Sequence, residues 1–291
     1  MSETLYAELS FGSKTLRLNG AGGPSADGLC IEAGGVEGWY STPDPKVSST
    51  EMETGDGAHA VQEQDILYSA RTVTLHWLAV GWSRPEAVEA NARLLSAAHS
   101  NVRMRIVDAS SDTYCTGYAA VSADAKYMRS GMTGTITLVC PDPRRLSTSV
   151  RRVQLMPTVG DAGAGLSYGD GGKGLAYPVG YGKAANDARN VATVENRGTS
   201  MAYPVITVNG GFPNGVRIDC GQLSLAYSQP VGSVPLVLDC RTRTASIGGT
   251  DVTRSVTSRG FPTVPAGGSI TLSLQSAGSG WVTVECRDTY I

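Results

Sequence analysis

The chain has 291 residues, enough for two domains of ordinary size, with 41% hydrophobic residues, 17% charged residues and a net charge of −2. The near-neutral charge argues against direct nucleic-acid binding, and no apolar stretch approaches the ~18–20 residues that a membrane helix needs. Glycine accounts for 36 of the 291 residues, or about 12% against a usual share of about 7%. This excess favours a turn-rich β protein.

Residues 1–150 predict a first domain, a β-sandwich or split barrel that carries one helix. Strand-like runs, in which apolar and polar residues alternate, occur at 6–11, 15–18, 29–32, 72–80, 102–106 and 135–140. The run at 72–80 is rich in β-branched and aromatic residues, which are enriched in strands. Pro141-Asp142-Pro143 then ends the last strand and closes the domain.

One helix is predicted over residues 84–98. Ser83 is a favourable N-cap, and Glu86 stands three residues later, so the two residues predict a capping box with Pro85 in the first turn. The apolar face of the helix is expected to pack on a sheet. Its predicted members are Ala87, Val88, Leu94, Leu95 and Ala98.

Residues 34–64 show no regular pattern and are long for a structureless loop in a compact domain, and such loops are usually functional or disordered. No lysine or arginine occurs from 47 to 70, whereas acidic residues do: Glu51, Glu53, Asp56, Glu63 and Asp65. We interpret the segment as an arm that becomes ordered against a neighbouring molecule. A mobile surface loop is the alternative interpretation.

Residues 151–190 predict a glycine-rich linker, and residues 191–291 predict a second domain, an antiparallel β-sandwich. Its strand-like runs lie at 192–196, 205–208, 216–218, 223–227, 236–240, 270–274 and 281–286. Turn sequences such as Asn209-Gly210-Gly211 and Gly248-Gly249 separate them, since glycine tolerates the positive φ that tight hairpins require. Short strands at this spacing favour a sandwich or a barrel.

Six cysteines occur, none of them in a C-x-x-C pair. Residues 1–15 lack the basic start and apolar run of a secretory signal, so we expect reduced thiols. A bridge between Cys240 and Cys286 is the alternative, because disulfide connectivity cannot be derived from sequence.

The residues typical of catalytic or cofactor-binding motifs lack the neighbouring secondary structure or the partner residues that such chemistry needs. Residues 169–174 match G-x-G-x-x-G, but no strand precedes them and glycines and a proline prevent a helix after them. The three histidines are isolated, and no catalytic, metal-binding or cofactor-binding constellation is predicted. Exposed aromatic residues would offer a sugar-binding surface, with packing under loops as the alternative. The candidates are Trp39, Tyr40, Tyr177 and Tyr181.

The order of several short segments resembles the distal tail proteins of phages with long non-contractile tails, often labelled minor tail proteins in phages of actinobacteria. In the first domain these segments are GDGA at 55–58, ARTVTL at 70–75, the helix at 83–95 and LVCPDPRRL at 138–146. In the second they are VENRGT at 194–199, YPVITVNG at 203–210, LVLDCRTR at 236–243, residues 262–267 and RDTYI at 287–291.

This resemblance implies a non-enzymatic structural subunit that forms a ring, with six copies expected, at the tail tip of a virion assembled in the host cytoplasm. The first domain would make the ring, and the 34–64 arm would embrace the next copy. The second domain would anchor other tip proteins. Implied partners are the tail tube protein, the tail-tip hub or tail-associated protein, and receptor-binding proteins.

Charge alone suggests that the acidic arm, through Glu51, Glu53 and Asp56, meets Arg103 and Arg105 of the neighbouring copy. The alternative function is a carbohydrate-binding or receptor-binding tail module that acts through the second domain. A hydrolase on a β scaffold has no support in the sequence.

Overall fold

The computed structural model describes residues 5–62, 65–157 and 190–291, which form two compact units. The first unit comprises Met1–Thr148 together with Tyr290–Ile291, and the second comprises Ser149–Thr289. The described residues are mainly β-strand and contain one α-helix. The predicted fold class, mainly β with a single helix, is therefore confirmed.

The first unit is built on a closed barrel of seven strands, where the sequence predicted a sandwich or a split barrel. The strands are β1 (Tyr6–Phe11), β2 (Lys14–Asn19), β3 (Leu29–Glu37), β4 (Arg71–Val80), β5 (Asn101–Asp108), β6 (Ser111–Ala123) and β7 (Gly131–Cys140). Their order around the barrel is β6-β5-β1-β2-β3-β4-β7, and a pairing between β6 and β7 closes it. Two short strands, β8 (Arg145–Ser147) and β20 (Thr289–Tyr290), extend this sheet beyond β6.

Closure depends on the long strand β6, which sequence patterning did not predict. Its first part pairs with β5 up to Tyr118, and from Tyr118 onwards it pairs with β7. Gly117 stands at this change of partner, and a Cβ atom there would clash with the carbonyl oxygen of Val139 on β7. A glycine therefore allows the two backbones to approach closely enough to close the barrel.

The barrel interior follows from the alternation of its strands. On β4, Val73, Leu75 and Trp77 are fully buried, and the residues between them are less buried. Successive side chains of a strand face opposite sides of the sheet, so one face of β4 supplies the core. The sequence prediction of this strand is confirmed.

The helix α1 covers Arg84–Leu95, three residues shorter than predicted. Ala90, Leu94 and Ala97 join the barrel core, and Ala87 is buried as well. The predicted apolar face is therefore partly wrong, because the buried stripe is displaced around the helix axis. Three predicted members are exposed: Val88, Leu95 and Ala98.

The start of α1 also differs from the predicted capping box. Ser83 is the N-cap, but its side chain makes no capping hydrogen bond. Instead, the Glu86 carboxylate accepts a hydrogen bond of 2.8 Å from the backbone N–H of Trp82, one residue before the cap. Only the Glu86 half of the capping box therefore forms, and its hydrogen bond goes to the residue before the N-cap. This bond fixes the loop that precedes the helix.

The second unit contains two antiparallel sheets whose buried residues form one apolar cluster. Five strands make the first sheet: β10 (Val191–Glu195), β12 (Val216–Cys220), β13 (Leu223–Tyr227), β17 (Val256–Arg259) and β18 (Ser269–Leu274). Six strands make the second: β9 (Arg151–Leu155), β11 (Val205–Asn209), β14 (Leu236–Asp239), β15 (Thr244–Ile247), β16 (Thr250–Asp251) and β19 (Trp281–Cys286). A single 3₁₀ turn, Thr253–Ser255, precedes β17.

The predicted linker begins too early. Residues 151–155 form β9, which pairs along its whole length with β19 in the second unit. Of the remaining predicted linker, residues 158–189 lie outside the described part of the chain, and so do the G-x-G-x-x-G run, Tyr177 and Tyr181. All six cysteines are free thiols, including Cys240 and Cys286, so the alternative of a bridge between those two is wrong.

Candidate assembly surface

A long hairpin leaves the barrel between β3 and β4. We call its described residues, 42–62 and 65–70, the arm hairpin. Near the barrel its two legs are joined by hydrogen bonds from Lys46 N to Leu67 O (2.6 Å) and from Ser69 N to Asp44 O (2.9 Å). Near its tip Met52 N donates to Gly57 O over 2.9 Å. The predicted arm at 34–64 is therefore displaced, since residues 34–37 belong to β3 and the hairpin extends to residue 70.

The side chains of the arm hairpin are exposed although several are apolar. Leu67 is 62% exposed, and Val47, Met52 and Ile66 are each 40% exposed. An isolated two-stranded hairpin is marginally stable in water, and exposed apolar side chains of this kind are usual at sites that contact another molecule. The arm hairpin thus presents apolar side chains that the monomer leaves uncovered.

Acidic side chains of the arm hairpin also lack an ion-pair partner among the described residues. Residues 42–70 contain six acidic residues and one lysine. Within the described residues, Glu51, Glu53, Asp56 and Asp65 form no ion pair. Glu63 lies outside the described part of the chain. A hairpin with this net negative charge attracts a basic surface.

Arg71 fixes the point at which the arm hairpin leaves the barrel. Its side chain is only 1% exposed. Its Nε donates to the carbonyl oxygen of Pro143 (2.7 Å), and its Nη1 donates to the carbonyl oxygens of Gly38 (2.6 Å) and Ser41 (2.7 Å). Burial, and then the nearby charge of Arg145, lowers the pKa of Arg71. One buried guanidinium therefore joins the end of β3 to the chain after β7.

Trp39 and Tyr40 were predicted as exposed aromatic candidates for sugar contact, and the structure separates them. Trp39 is 1% exposed and belongs to the barrel core, with the Arg145 guanidinium 5.4 Å from its ring centre. Gly38 has a φ of +74°, a conformation that favours glycine. This turn directs Trp39 inward, so the prediction that Trp39 contacts a glycan is wrong.

Tyr40 is 58% exposed, and its hydroxyl donates a hydrogen bond of 2.6 Å to the Asp108 carboxylate. Burial raises the pKa of Tyr40 to about 12, with help from that hydrogen bond and from the negative charge of Asp108. The hydroxyl is thus engaged within the chain. A glycan contact at Tyr40 stays a prediction.

Arg105 was predicted to meet the arm of a neighbouring copy, but its charge is neutralised within its own sheet. Its guanidinium makes two hydrogen bonds of 2.8 Å to Asp112 and one of 2.7 Å to Glu8. The hydrogen bonds from Arg105 and from Thr148 lower the pKa of Asp112, although burial acts against them. Within the monomer the charge of Arg105 is therefore already neutralised, and its predicted pairing with the acidic arm of a neighbouring copy stays a prediction.

Arg103 lies on the same face of β5, with its guanidinium 3.6 Å from the ring centre of Tyr114. Stacking on an aromatic ring leaves part of an arginine's charge available to solvent. Among the described residues Arg103 forms no ion pair, although its positive charge helps to lower the pKa of Asp112. Its contact with the arm stays a prediction.

Open grooves of about 320 Å³ and 290 Å³ lie on the second unit, on either side of Glu195. Arginines that line them are already paired, as in Arg151 with Asp288 (3.1 Å) and Arg152 with Glu285 (2.6 Å). Among the described lining residues neither groove has an aromatic ring, so neither offers the stacking surface that sugars usually use.

The described ranges contain neither a metal site nor a membrane-spanning helix. No group of three or more His, Cys, Asp or Glu side chains there could hold a metal ion. No helix in those ranges is long and apolar enough to cross a bilayer. The candidate site of the first unit is therefore an exposed surface, formed by the apolar and acidic side chains of the arm hairpin.

No protein-family model matches the sequence, and no curated protein matches it. Solved structures do match, over nearly the whole chain. The crystal structure of the Dit (gp 19.1) protein of phage SPP1, described as a paradigm of the hub adsorption apparatus in phages that infect Gram-positive bacteria, aligns with a TM-score of 0.63 and 11% identity, covering 98% of this chain and 99% of that one.

Two structures of the phage p2 baseplate in its activated conformation also align with 97% of this chain and 97% of theirs. The one with Sr has a TM-score of 0.56 at 8% identity, and the one with Ca has 0.52 at 10% identity. At such identities the similarity establishes a shared fold. This chain therefore has the fold of these phage hub and baseplate proteins.

Proposed function

We propose that this chain is a structural subunit of a phage tail tip or baseplate. The observation that carries the proposal is the shared fold with the SPP1 Dit protein, which extends over 98% of this chain and 99% of that one. A match to both units in sequence order is more specific than a match to a single common domain. The two p2 baseplate structures support the same assignment.

In this proposal the chain acts as copies that close into a ring, expected to contain six, between the tail tube and the proteins of the tail-tip hub. A ring needs a heterologous interface, in which one patch of a subunit meets a different patch of the next. The arm hairpin supplies one such patch. Each leg is about 12 residues long, or up to about 40 Å when extended, which is comparable to the diameter of a domain of this size.

The second unit would then hold further tip proteins, and no step of the proposed function is catalytic. The chain works through shape and subunit contact. This role accounts for an arm with exposed apolar side chains and with carboxylates that form no ion pair among the described residues.

The direct experiment is to label this protein in intact virions with an antibody fragment against the second unit and to image the particles. We expect label at the distal end of the tail, in a number consistent with a ring. Label on the capsid or along the tube, or particles that lack the protein, would overturn the proposal. Particles assembled without the gene product serve as the control for nonspecific labelling.

A further inference from the structure

Two neighbouring loops of the first unit carry the most exposed aromatic side chains of the described chain. Trp82, between β4 and α1, is 99% exposed, and Tyr127, between β6 and β7, is 76% exposed. Tryptophan, tyrosine and arginine are the residues that most often carry the binding energy of protein interfaces. A fully exposed tryptophan therefore marks this surface as a contact site.

Hydrogen bonds hold the two loops together as one surface. Gly81 N donates to Ser130 O over 3.0 Å. The Arg84 Nη1 donates to the carbonyl oxygens of Met128 (3.1 Å) and Gly131 (3.0 Å), and the Arg84 guanidinium lies 5.3 Å from the Tyr127 ring centre. Since these contacts exist before any partner binds, less conformational entropy is lost on binding.

The charge around the two rings is basic. Lys126 and Arg129 are exposed, and neither forms an ion pair with any described residue. Two carboxylates lie nearby, since Glu86 accepts from the Trp82 amide and Asp124 accepts from the Thr133 hydroxyl over 2.6 Å. With Arg84, the three basic side chains outnumber these two carboxylates, so the surface keeps a net charge of +1. We define the aromatic-basic platform as Trp82, Arg84, Lys126, Tyr127 and Arg129.

We propose that the aromatic-basic platform of one copy receives the arm hairpin of the next copy. The two surfaces are complementary, because the tip of the arm hairpin carries exposed Met52 between Glu51 and Glu53, whose carboxylates form no ion pair with a described residue. This inference rests on the proposed function and names the contact through which the ring closes. It names a receiving site separate from Arg105, whose charge is already neutralised within the monomer by Asp112 and Glu8.

The positions of the two surfaces favour a contact between copies. The arm hairpin enters β4 at Arg71, and the platform begins just after β4 ends at Val80. They are therefore at opposite ends of a ten-residue strand, roughly 30 Å apart. Both surfaces remain exposed in the monomer. An arm at one end and a receiver at the other give a head-to-tail interface, which can close into a ring.

Two variants of the full chain test the proposal. The armless variant replaces residues 46–67 with an Asn-Gly turn, which keeps the base of the hairpin. The platform variant carries Trp82→Ser, Lys126→Glu and Arg129→Glu. Each variant alone is expected to associate at least about 30-fold more weakly than the wild type, as measured by mass photometry, because truncation of one anchor side chain alone costs about that factor.

The decisive measurement is made on a mixture of the two variants. The armless variant keeps a platform and the platform variant keeps an arm, so an equimolar mixture should form a dimer of one copy of each. The wild-type interface should also weaken as salt rises, since charges contribute to it. Tyr118→Ala is the matched control, because Tyr118 is 59% exposed but lies outside the platform. It should associate as the wild type does.

The outcomes separate the two proposals. If the platform variant assembles like the wild type while the armless variant does not, the platform is wrong and the ring stands. If both variants are defective but their mixture stays monomeric, the head-to-tail contact is wrong. If the wild type itself never associates, the ring in the proposed function fails. Thermal melts of both variants, matched to the wild type, establish that the units remain folded.

Discussion

The barrel and the arm hairpin are adjacent in sequence and opposite in character. Every large apolar side chain of the barrel interior is covered within the monomer, as for Trp39 and Trp77, and a charge such as that of Arg105 has partners in its own sheet. In the arm hairpin, Leu67 is exposed and Glu51 is unpaired within the described residues. The burial and pairing of the barrel residues are explained by folding, whereas the exposure of the arm residues fits the proposed contact with a neighbouring copy.

The sharpest way to test this comparison is to remove one large side chain from each region. Trp39→Ala should lower the free energy of unfolding by about 3–5 kcal/mol, because it leaves a cavity in the core. Leu67→Ala should change it by less than about 0.5 kcal/mol at a concentration at which the chain is monomeric. Denaturant unfolding measures both. Equal losses would mean that the arm is part of the folded core.

Arg71 is the residue that links the two regions. Arg71→Met should lower the free energy of unfolding by about 2–4 kcal/mol, because the buried carbonyl groups of Gly38, Ser41 and Pro143 lose their donor. Amide hydrogen exchange should rise at residues 38–45. Arg93→Met is the control, since Arg93 pairs with Glu89 on the exposed face of α1, and it should cost less than about 0.5 kcal/mol. Unchanged exchange at the arm base would refute this role.

The charge network around Arg105 predicts a pH dependence within the barrel. The folded pKa of Asp112 lies below its usual value of 3.8, so its contribution to stability is complete above about pH 4 and is lost as the pH falls through the folded pKa. Asp112→Asn should therefore lower stability at pH 7 by about 1 kcal/mol and flatten the loss below pH 4. Unfolding curves from pH 2 to 7 measure this. Parallel curves for both proteins would contradict it.

The smallest effect is expected at Tyr40. Burial, with help from the hydrogen bond to Asp108, raises the pKa of Tyr40 to about 12. The contribution of the neutral hydroxyl to stability is therefore complete below the usual tyrosine pKa near 10 and is lost as the pH rises through 12. Tyr40→Phe should cost about 0.5–1 kcal/mol at pH 7. An ultraviolet titration should show one fewer late-ionising tyrosine in the variant. A difference centred near pH 10 would show that the hydrogen bond is absent.

The alternation of apolar and polar residues predicted the strands that have one buried and one solvent-exposed face. Runs such as Val73 to Ala79 alternate clearly, and they appear in the structure as predicted. It missed β6, because that strand changes partners midway and carries small or polar residues such as Thr113, Gly117 and Ala120. The closed barrel therefore could not be predicted, since closure depends on a pairing between strands that share no local signal.

The candidate site was harder to predict for a related reason. The acidic composition of the arm could be read from the sequence, but the burial of Trp39 depends on a turn at Gly38 and on the distant Arg145. The sequence alone gives no indication that Arg105 and Trp82 differ in their exposure. Only the fold shows that Arg105 faces two carboxylates and that Trp82 faces solvent. Long-range contacts decide which charges and rings remain available to a partner.

The central claim, that the arm joins copies of this chain, is tested most directly by measuring particle mass against concentration for the wild type and the armless variant. The account predicts that the wild type passes from the 30.3 kDa chain to a closed species of about six copies, while the armless variant stays a monomer. A wild type that remains monomeric throughout, or an armless variant that assembles equally well, would contradict it.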